Sequence, residues 1–298
     1  MHNEFSNLYK SSSIGINKFH PFVKWAGGKT RLTSVIERHV PKNFSNYFEP
    51  FLGGGALFFH LKNTRYEMKD FTSYLSDNNP ELINAYNIIK NKPQKLIALL
   101  REFEKNYYNN PREFYYELRN NKLSDKIFLA ARFITLNKTC YNGLYRVNKN
   151  GLFNVPLGNY IKPKICDEEN LLNINGILKN TKTIIRLGDF ENILVKNTKS
   201  NDFIYLDPPY DPIDRTSNFT SYTNTGFNIE QQKRLSDLFH ILDCKGCKLL
   251  LSNSDTETIR ELYKDFSNNI LKIESIRSIN SKPEKRSGHV ELLIKNYK

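Results

Sequence analysis

Short apolar and aromatic runs alternate with amphipathic segments in the first and last parts of the chain. Runs of this length predict buried strands, and the amphipathic segments between them predict helices. The predicted strands lie near 47, near 74 and at 183–187, 202–206, 248–252, 271–277 and 289–296. The predicted helices lie at 31–39, after 56, after 80, at 228–242 and at 256–265. Strands and helices that alternate in this way indicate the α/β class.

The middle of the chain, from about 91 to 180, has a different pattern. Helices rich in basic and aromatic residues are predicted at 94–107, 112–120 and 125–138. Apolar and polar residues then alternate over 140–160 around a glycine-bearing turn, which predicts a β-hairpin. We therefore expect an inserted, mainly helical domain over 91–180. The rest of the expected organisation is a loose tail at 1–18 and an α/β domain made of 19–90 and 181–298.

Composition and charge limit the class of partner. A chain of 298 residues that is 39% hydrophobic can bury a full core. The net charge of +13 and the pI near 9.4 favour a polyanionic partner, most simply nucleic acid. No apolar run reaches the length of about 18 residues that a membrane helix needs, and the N-terminus lacks a secretory pattern. We expect a cytoplasmic protein that does not bind membranes.

The four cysteines do not predict a metal site or a disulfide framework. Cys244 and Cys247 have C-x-x-C spacing, but Cys140 and Cys166 are far apart in sequence and no paired histidine motif accompanies them. We expect reduced thiols and no metal.

The run Asp207-Pro208-Pro209-Tyr210 directly follows the predicted strand at 202–206. Ligands of open α/β sheets bind at this carboxyl edge, and two consecutive prolines stiffen the loop and remove two backbone donors. Asp207 and the Pro208 carbonyl can accept the two hydrogens of an amine on a flat heterocycle, while Tyr210 stacks on its ring. Taken alone, the run is equally typical of a turn that only ends a strand.

Two glycine turns precede helices in the first part of the chain. One follows Trp25, and the other lies at 49–55 between a strand and a helix. The second turn is not G-x-G-x-x-G and lacks a Walker lysine, so a donor without phosphates fits it better than a phosphate. Asp77 ends the next strand, where an acid can bind a ribose or cap the helix that begins near Pro80.

In order and spacing these motifs resemble the Dam-type adenine-N6 DNA methyltransferases, in which the donor-binding region precedes target recognition and the catalytic motif. The resemblance runs from Phe22 to about Tyr297. Its motifs are the runs 24–29, 48–55, 77–79, the hairpin, 188–190 and 207–210. It implies a Rossmann-like mixed seven-stranded methyltransferase sheet with helices on both faces, and an inserted target-recognition domain that bears the hairpin.

The resemblance also implies that S-adenosylmethionine is the methyl donor and that S-adenosylhomocysteine is the product. Asp77 would bind the ribose, and Asp189 and Phe190 would lie beside the donor's adenine. The full set of expected donor contacts is Trp25, Ala26, Gly27, Lys29, Glu49, Pro50, Phe51, Gly53, Gly55, Asp77, Asp189, Phe190 and Asp207. The expected catalytic residues are Asp207, Pro208, Pro209 and Tyr210.

For DNA, the resemblance implies that the target adenine is flipped out of the duplex. Tyr141 or Asn142 would fill the gap that the base leaves. The remaining expected DNA contacts divide into base readers and phosphate contacts. Arg146 would read a guanine, Leu144 and Pro156 would contact thymine, Lys24 would reach the outer guanine, and Asn148 and Asn154 would bind phosphates.

The expected recognition site is GATC in double-stranded DNA. One departure concerns Asn159, which stands where many relatives carry an arginine, so one phosphate contact is expected to be weaker. Methyl transfer is expected to be direct, because the N6 nitrogen is itself the nucleophile and there is no Pro-Cys loop. The expected protein is a nucleoid-associated monomer of a prokaryotic cell. A nearby restriction endonuclease would be its functional counterpart without forming a complex with it.

Three alternatives remain from the sequence. An RNA adenine methyltransferase would share the donor and catalytic motifs, but a hairpin matching readers of duplex DNA would then have no purpose. A cytosine-N4 methyltransferase more often has serine in place of Asp207. A non-catalytic DNA-binding protein would not need Asp207, Tyr210 and the 53–55 glycines.

Overall fold

A computed structural model describes residues 19–65, 70–212, 227–275 and 289–298. The predicted loose tail at 1–18 and the last two residues of the strand predicted at 271–277 lie outside the described residues.

The described residues form one seven-stranded mixed sheet with strand order β3-β2-β1-β4-β5-β7-β6. The strands are β1 Tyr47–Glu49, β2 Ser73–Asp77, β3 Thr183–Leu187, β4 Phe203–Leu206, β5 Lys248–Ser254, β6 Ile270–Ser275 and β7 His289–Lys295. Neighbouring strands from β3 to β5 are parallel, and β7 is antiparallel to both β5 and β6. The predicted α/β class and the positions of the strands are confirmed.

The strand order reverses between β1 and β4, which are direct neighbours. Tyr47 pairs with Phe203 and Phe48 pairs with Ile204, so both strands end at the same edge of the sheet. A crevice at such a reversal point is where open α/β sheets bind ligands. The glycine turn at 49–55 and the 207–210 loop therefore meet there.

Ten α-helices are present among the described residues. They are α1 Thr33–Glu37, α2 Ala56–Thr64, α3 Pro80–Asn91, α4 Pro93–Asn109, α5 Pro111–Asn120, α6 Lys126–Thr139, α7 Glu168–Asn180, α8 Phe190–Asn197, α9 Ile229–Cys244 and α10 Glu257–Leu262. Three of them begin with proline, which is suited to the first helical position because its missing N–H has no partner there. Neither α7 nor α8 was predicted from the sequence, and the helix predicted at 256–265 is α10 followed by a 3₁₀ turn at Lys264–Asn269.

The predicted two-stranded hairpin at 140–160 needs correction. Its turn is present, since Gly151 has φ +74° and donates its N–H to the Asn148 carbonyl at 2.9 Å. The two arms meet only at isolated antiparallel bridges, Cys140 with Leu157 and Val147 with Phe153. A 3₁₀ turn at Tyr141–Gly143 and Pro156, which has no N–H, interrupt a continuous ladder.

The two faces of the sheet carry two buried clusters. Phe203 and Tyr205 of β4 belong to one cluster, and Ile204 and Leu206 belong to the other, as the alternation of side chains along a strand requires. The first cluster continues through the helices of the middle of the chain, where α3 packs against both α6 and α7. Because α3 also packs on β2 and β3, it links these helices to the sheet that carries the crevice.

Candidate active site and DNA-facing loop

Asp207 lies directly after β4 at the crevice, with 18% of its side chain exposed. Its Oδ1 lies 2.9 Å from Nζ of Lys29, a buried lysine that also donates to the Gly27 carbonyl at 2.8 Å. The same ammonium lies 4.4 Å from the centroid of the Tyr210 ring. Lys29, expected among the donor contacts, is therefore in contact with the carboxylate and the ring of the 207–210 loop.

Glu291 is a further residue of this site, and none of the sequence motifs predicted it. It lies on β7, and its Oε2 accepts a hydrogen bond from the Tyr210 hydroxyl at 2.7 Å and lies 4.0 Å from Nζ of Lys29. Its sequence context does contain one indication of a special role, because an acidic residue stands between Val290 and Leu292 inside an apolar strand. The bond holds the hydroxyl end of the Tyr210 ring in position.

Burial raises the pKa of the Asp207 carboxyl to about 6. The nearby Glu291 carboxylate acts in the same direction, and the Lys29 ammonium opposes the rise. Asp207 is consequently ionised at neutral pH, when it is purely a hydrogen-bond acceptor, and becomes protonated as the pH falls through about 6.

The two prolines of the loop have different surroundings. Pro208 is buried, and among the described residues no donor contacts its carbonyl. Pro209 is exposed, but its carbonyl accepts a hydrogen bond from Nε2 of Gln232 at 2.9 Å. The Pro208 carbonyl thus remains available as the second acceptor beside Asp207.

The glycine turn at 49–55 is closed around Trp25 and Tyr86. Gly53 has φ +48°, and a Cβ added there would lie 2.6 Å from Cδ1 of Trp25. Gly55 has φ +68°, and a Cβ there would lie 2.7 Å from the Tyr86 hydroxyl. Only glycine fits either position without displacing an aromatic side chain.

Asp77 holds the same turn from the end of β2. Its carboxylate accepts hydrogen bonds from the backbone N–H groups of Gly53 and Asn79, both at 2.9 Å. Burial raises the pKa of this carboxyl, although these N–H groups oppose the rise. The alternative role of Asp77 as the cap of α3 is wrong, because the Asn79 side chain accepts from the Leu82 N–H instead. Its contact with a ribose stays a prediction.

Glu49 is buried at the start of the turn, and its Oε2 accepts from the Tyr47 hydroxyl at 2.8 Å. Burial raises the pKa of this carboxyl to about 8. A positively charged ligand beside it would favour the ionised form and offset the cost of burial. S-adenosylmethionine carries positive charge on its sulfur and its amino group, so Glu49 fits the expected donor.

Phe51, Phe190 and Phe227 form an aromatic wall beside the glycine turn. Their ring centroids are 5.2 to 6.0 Å apart. Asp189 caps α8 through the Glu191 N–H and forms an ion pair with Arg234 of α9. The Arg234 guanidinium lies 4.7 Å from the centroid of the Phe190 ring. Phe227 and Arg234 are additions to the predicted pair Asp189 and Phe190.

The 140–160 loop presents several of the predicted DNA contacts on its surface. Tyr141 is 48% exposed, and Arg146 and Pro156 are exposed as well. Nε of Arg146 donates to the side-chain oxygen of Asn154 at 2.7 Å. The side-chain oxygen of Asn148 accepts from the backbone N–H groups of residues 150 and 152 at 2.9 and 3.0 Å. Both asparagines therefore support the loop, and their contacts with phosphate stay predictions.

The motif at 24–29 joins this loop to the crevice. Nζ of Lys24 lies 3.9 Å from the centroid of the Tyr160 ring, and Trp25 stacks on Tyr145 at 5.8 Å. Two of the predicted DNA contacts lie next to this motif in the loop: Asn142, which has φ +54°, and Leu144, which is half-buried. The two ends of a short motif thus contact the 140–160 loop on one side and Asp207 on the other.

The four cysteines are free thiols, of which only Cys244 is exposed. The described residues contain no group of three or more histidine, cysteine, aspartate or glutamate side chains that could hold a metal ion. In the same part of the chain, no helix is both long and apolar enough to cross a bilayer.

The sheet topology and the acidic, aromatic crevice define an α/β methyltransferase. The family of D12 class N6 adenine-specific DNA methyltransferases matches residues 25–279, and the chain belongs to that family. The type II methyltransferase M.MjaIII of Methanocaldococcus jannaschii is 46% identical over 93% of this chain and 99% of its own. The type II methyltransferase M1.LlaDCHI of Lactococcus lactis subsp. cremoris is 43% identical over 98% of this chain and 99% of its own.

A DNA adenine methylase of Vibrio cholerae is 36% identical over 86% of this chain and 89% of its own. Among solved structures, the rRNA methyltransferase aviRa from Streptomyces viridochromogenes aligns over 97% of this chain and 94% of its own at a TM-score of 0.39 and 12% identity. A likeness this weak carries no argument about RNA. The predicted Dam-type resemblance, the methylation of adenine N6 in DNA and the use of S-adenosylmethionine are confirmed.

Proposed function

We propose that this protein is a site-specific methyltransferase that recognises GATC in duplex DNA, flips the target adenine into the crevice and methylates N6 directly. The observation that carries the proposal is the cluster of Asp207, Tyr210, Lys29 and Glu291 at the point where the strand order reverses. Together with the free Pro208 carbonyl, it combines an ionised acceptor with an aromatic ring that is held at its hydroxyl end.

The chemistry follows from the acceptors. The amine of adenine is a poor nucleophile because its lone pair is delocalised into the ring. Asp207 and the Pro208 carbonyl accept its two hydrogens and favour the pyramidal nitrogen, while Tyr210 stacks on the base. As the N6–carbon bond forms, the sulfur–carbon bond of the donor breaks, and the sulfur keeps the bonding electron pair. Asp207 is placed to take the proton that the methylated nitrogen loses.

The donor side of the crevice is assigned to the glycine turn and the residues that hold it. Glu49 lies where it can compensate a positive charge, and Asp77 holds the turn while keeping lone pairs for a ribose. Phe51 and Phe190 form the wall against which the donor's adenine packs. The remaining expected contacts, Trp25, Ala26, Gly27, Pro50, Gly53, Gly55 and Asp189, lie on the same turns or beside them.

Sequence recognition is assigned to residues 91–180, with the 140–160 loop entering the major groove. Support comes from the exposure of Tyr141, Arg146 and Pro156 on one loop. Tyr141 or Asn142 fills the gap left by the flipped base, Arg146 reads a guanine, and Leu144 and Pro156 contact thymine. Lys24 reaches the outer guanine, and Asn148 and Asn154 contact phosphates.

We further infer that the protein acts as a monomer and modifies DNA beside a restriction endonuclease that cuts the same site. The names of two relatives, both type II methyltransferases, support this role. Transfer of one methyl group to one strand per encounter needs a single copy of the crevice, and no direct complex with an endonuclease is required.

Labelled methyl transfer to short duplexes tests the proposed specificity. We expect incorporation into GATC and at least about fivefold less into each single-base variant, because one mismatched base pair costs about 1–3 kcal/mol. Equal incorporation into all the duplexes would overturn the assigned site, and incorporation only into an RNA of the same sequence would overturn the substrate.

A further inference from the structure

Two buried amide side chains hold the backbone on either side of Tyr210. Gln232 of α9 is 1% exposed, and Asn253 of β5 is 0% exposed. Nε2 of Gln232 donates to the Pro209 carbonyl at 2.9 Å, and the Asp211 N–H donates to Oδ1 of Asn253 at 3.2 Å. Tyr210 is the single residue between these two anchored peptide groups.

The two amides are also bonded to each other, since Nδ2 of Asn253 donates to Oε1 of Gln232 at 3.1 Å. The direction of this chain of bonds is fixed at both ends. A backbone N–H can only donate and a carbonyl can only accept, so each amide has one orientation that satisfies all three bonds. We call Gln232 and Asn253, joined in this way, the amide clamp.

The clamp supplies what the local sequence lacks. Pro208 and Pro209 have no N–H groups, so the loop cannot form the backbone hydrogen bonds that normally stabilise a turn. Asp211, the next residue, is held at two further points: its carbonyl accepts from the Ser254 hydroxyl at 2.6 Å and its carboxylate accepts from the Thr256 hydroxyl at 2.8 Å. The loop is thus anchored to β5 immediately after the tyrosine.

We propose that Gln232 and Asn253 are positioning residues for methyl transfer, and that the clamp fixes the distance between the Tyr210 ring and the acceptors Asp207 and Pro208. The ring is held by Glu291 at its hydroxyl end and by the clamp at its backbone end. Within the described part of the chain, no hydrogen bond joins either amide to the crevice turn at 49–55, so the clamp acts on the flipped base and leaves donor binding unchanged. The inference rests on the proposed role of the 207–210 loop.

Gln232→Met tests the clamp, because methionine has nearly the same length and leaves the Pro209 carbonyl without a donor. The matched control is Ser236→Ala, which removes a buried hydrogen bond one turn along α9, from Ser236 to the Leu262 carbonyl at 2.8 Å. Single-turnover methyl transfer is measured with saturating S-adenosylmethionine on genomic DNA that lacks adenine methylation, so the result does not depend on the recognition site. Donor and DNA dissociation constants and Tm are measured on the same samples.

We expect Gln232→Met to lower the single-turnover rate constant about tenfold to a hundredfold, the size of effect seen when a catalytic group is displaced by about 1 Å. Both dissociation constants should stay within about twofold, and Ser236→Ala should keep the wild-type rate. Asn253→Leu should lower the rate to a similar extent. The double variant should lose little more than either single one, because both belong to one chain of bonds.

Three results would overturn the clamp. They are an unchanged rate in Gln232→Met, an equal loss in Ser236→Ala, and a loss that resides only in donor or DNA affinity. Asp207→Ala, assayed in parallel, separates this inference from the proposed function. If Asp207→Ala keeps its activity, the 207–210 loop is not the catalytic loop and both fail. If Asp207→Ala is inactive while Gln232→Met is unchanged, the clamp alone fails.

Discussion

The glycine turn at 49–55 and the 140–160 loop both depend on residues with a left-handed backbone, but their surroundings differ. At Gly53 an added Cβ would meet Trp25 at 2.6 Å, whereas at Gly151 it would meet nothing within 4 Å. The turn is buried and held by β2 and two aromatic rings. The loop has an exposed tip at 149–152, which the Asn148 side chain holds, while its arms contact Trp25 and Tyr115.

This difference matches what each region has to bind. The methyl donor has one fixed structure, and a turn that already has its bound conformation binds it more tightly, because little of the backbone must be ordered on binding. DNA must be entered and opened, and a loop supported by a few side-chain bonds can adjust to it. We therefore expect substitutions in the two regions to affect different steps.

After the loss of Asp207, the largest effect is expected at Tyr210, which belongs to neither region and stacks on the base. Tyr210→Ala removes the stacking surface and should lower kcat/KM about tenfold to a hundredfold, since stacking of a base on an aromatic ring contributes about 1–3 kcal/mol. Tyr210→Phe keeps the ring and loses only the bond to Glu291, so its loss should be clearly smaller. Steady-state kinetics of both variants provide the measurement. Equal losses would assign the effect to the hydroxyl.

Arg146 tests the DNA side alone. Arg146→Ala should cost roughly 1–3 kcal/mol on the cognate site and relax discrimination at one guanine, because a bidentate contact to a base edge is lost. The dissociation constant for S-adenosylmethionine should not change. Binding to duplexes with each base at that position provides the measurement, and an equal loss on all of them would make Arg146 a phosphate contact.

Gly53→Ala tests the donor side, with Gly151→Ala as its matched control. Both glycines have positive φ, so each substitution carries a backbone cost of about 1 kcal/mol or more. Only at Gly53 does the new Cβ also displace Trp25, and we expect about a tenfold weaker affinity for S-adenosylmethionine there. Calorimetric titration with the donor provides the measurement. A comparable loss in Gly151→Ala would contradict the assigned donor site.

The smallest effect is expected in the pH dependence. Because Asp207 acts as an acceptor in its ionised form and its pKa is raised to about 6, kcat should be constant near neutral pH and fall as the pH drops through about 6. Lys29→Met removes a cation that holds this pKa down, so the acid limb should move to higher pH. Lys29→Arg keeps the charge and should move it less. A limb that stays in place in Lys29→Met would show that Lys29 does not influence the titrating group.

The parts of the molecule that could be predicted from sequence are those in which neighbours along the chain determine the structure. The strand at 202–206 and the turn at 53–55 are of this kind, since apolar runs and glycines act locally. Glu291 and Gln232 could not be assigned, because their partners in the 207–210 loop lie 81 and 23 residues away and the bonds exist only once the sheet has formed. The interruption of the hairpin could not be predicted either. The alternation of apolar and polar residues over 140–160 indicated two continuous strands, whereas the fold forms only isolated bridges there.

The most direct test of the catalytic assignment is nucleoside mass spectrometry, with mapping of modified sites, on DNA from cells that lack adenine methylation and express either the wild type or Asp207→Ala. We predict N6-methyladenine within GATC for the wild type, and none for Asp207→Ala at equal protein level and equal Tm. N6-methyladenine that persists in Asp207→Ala would contradict the account.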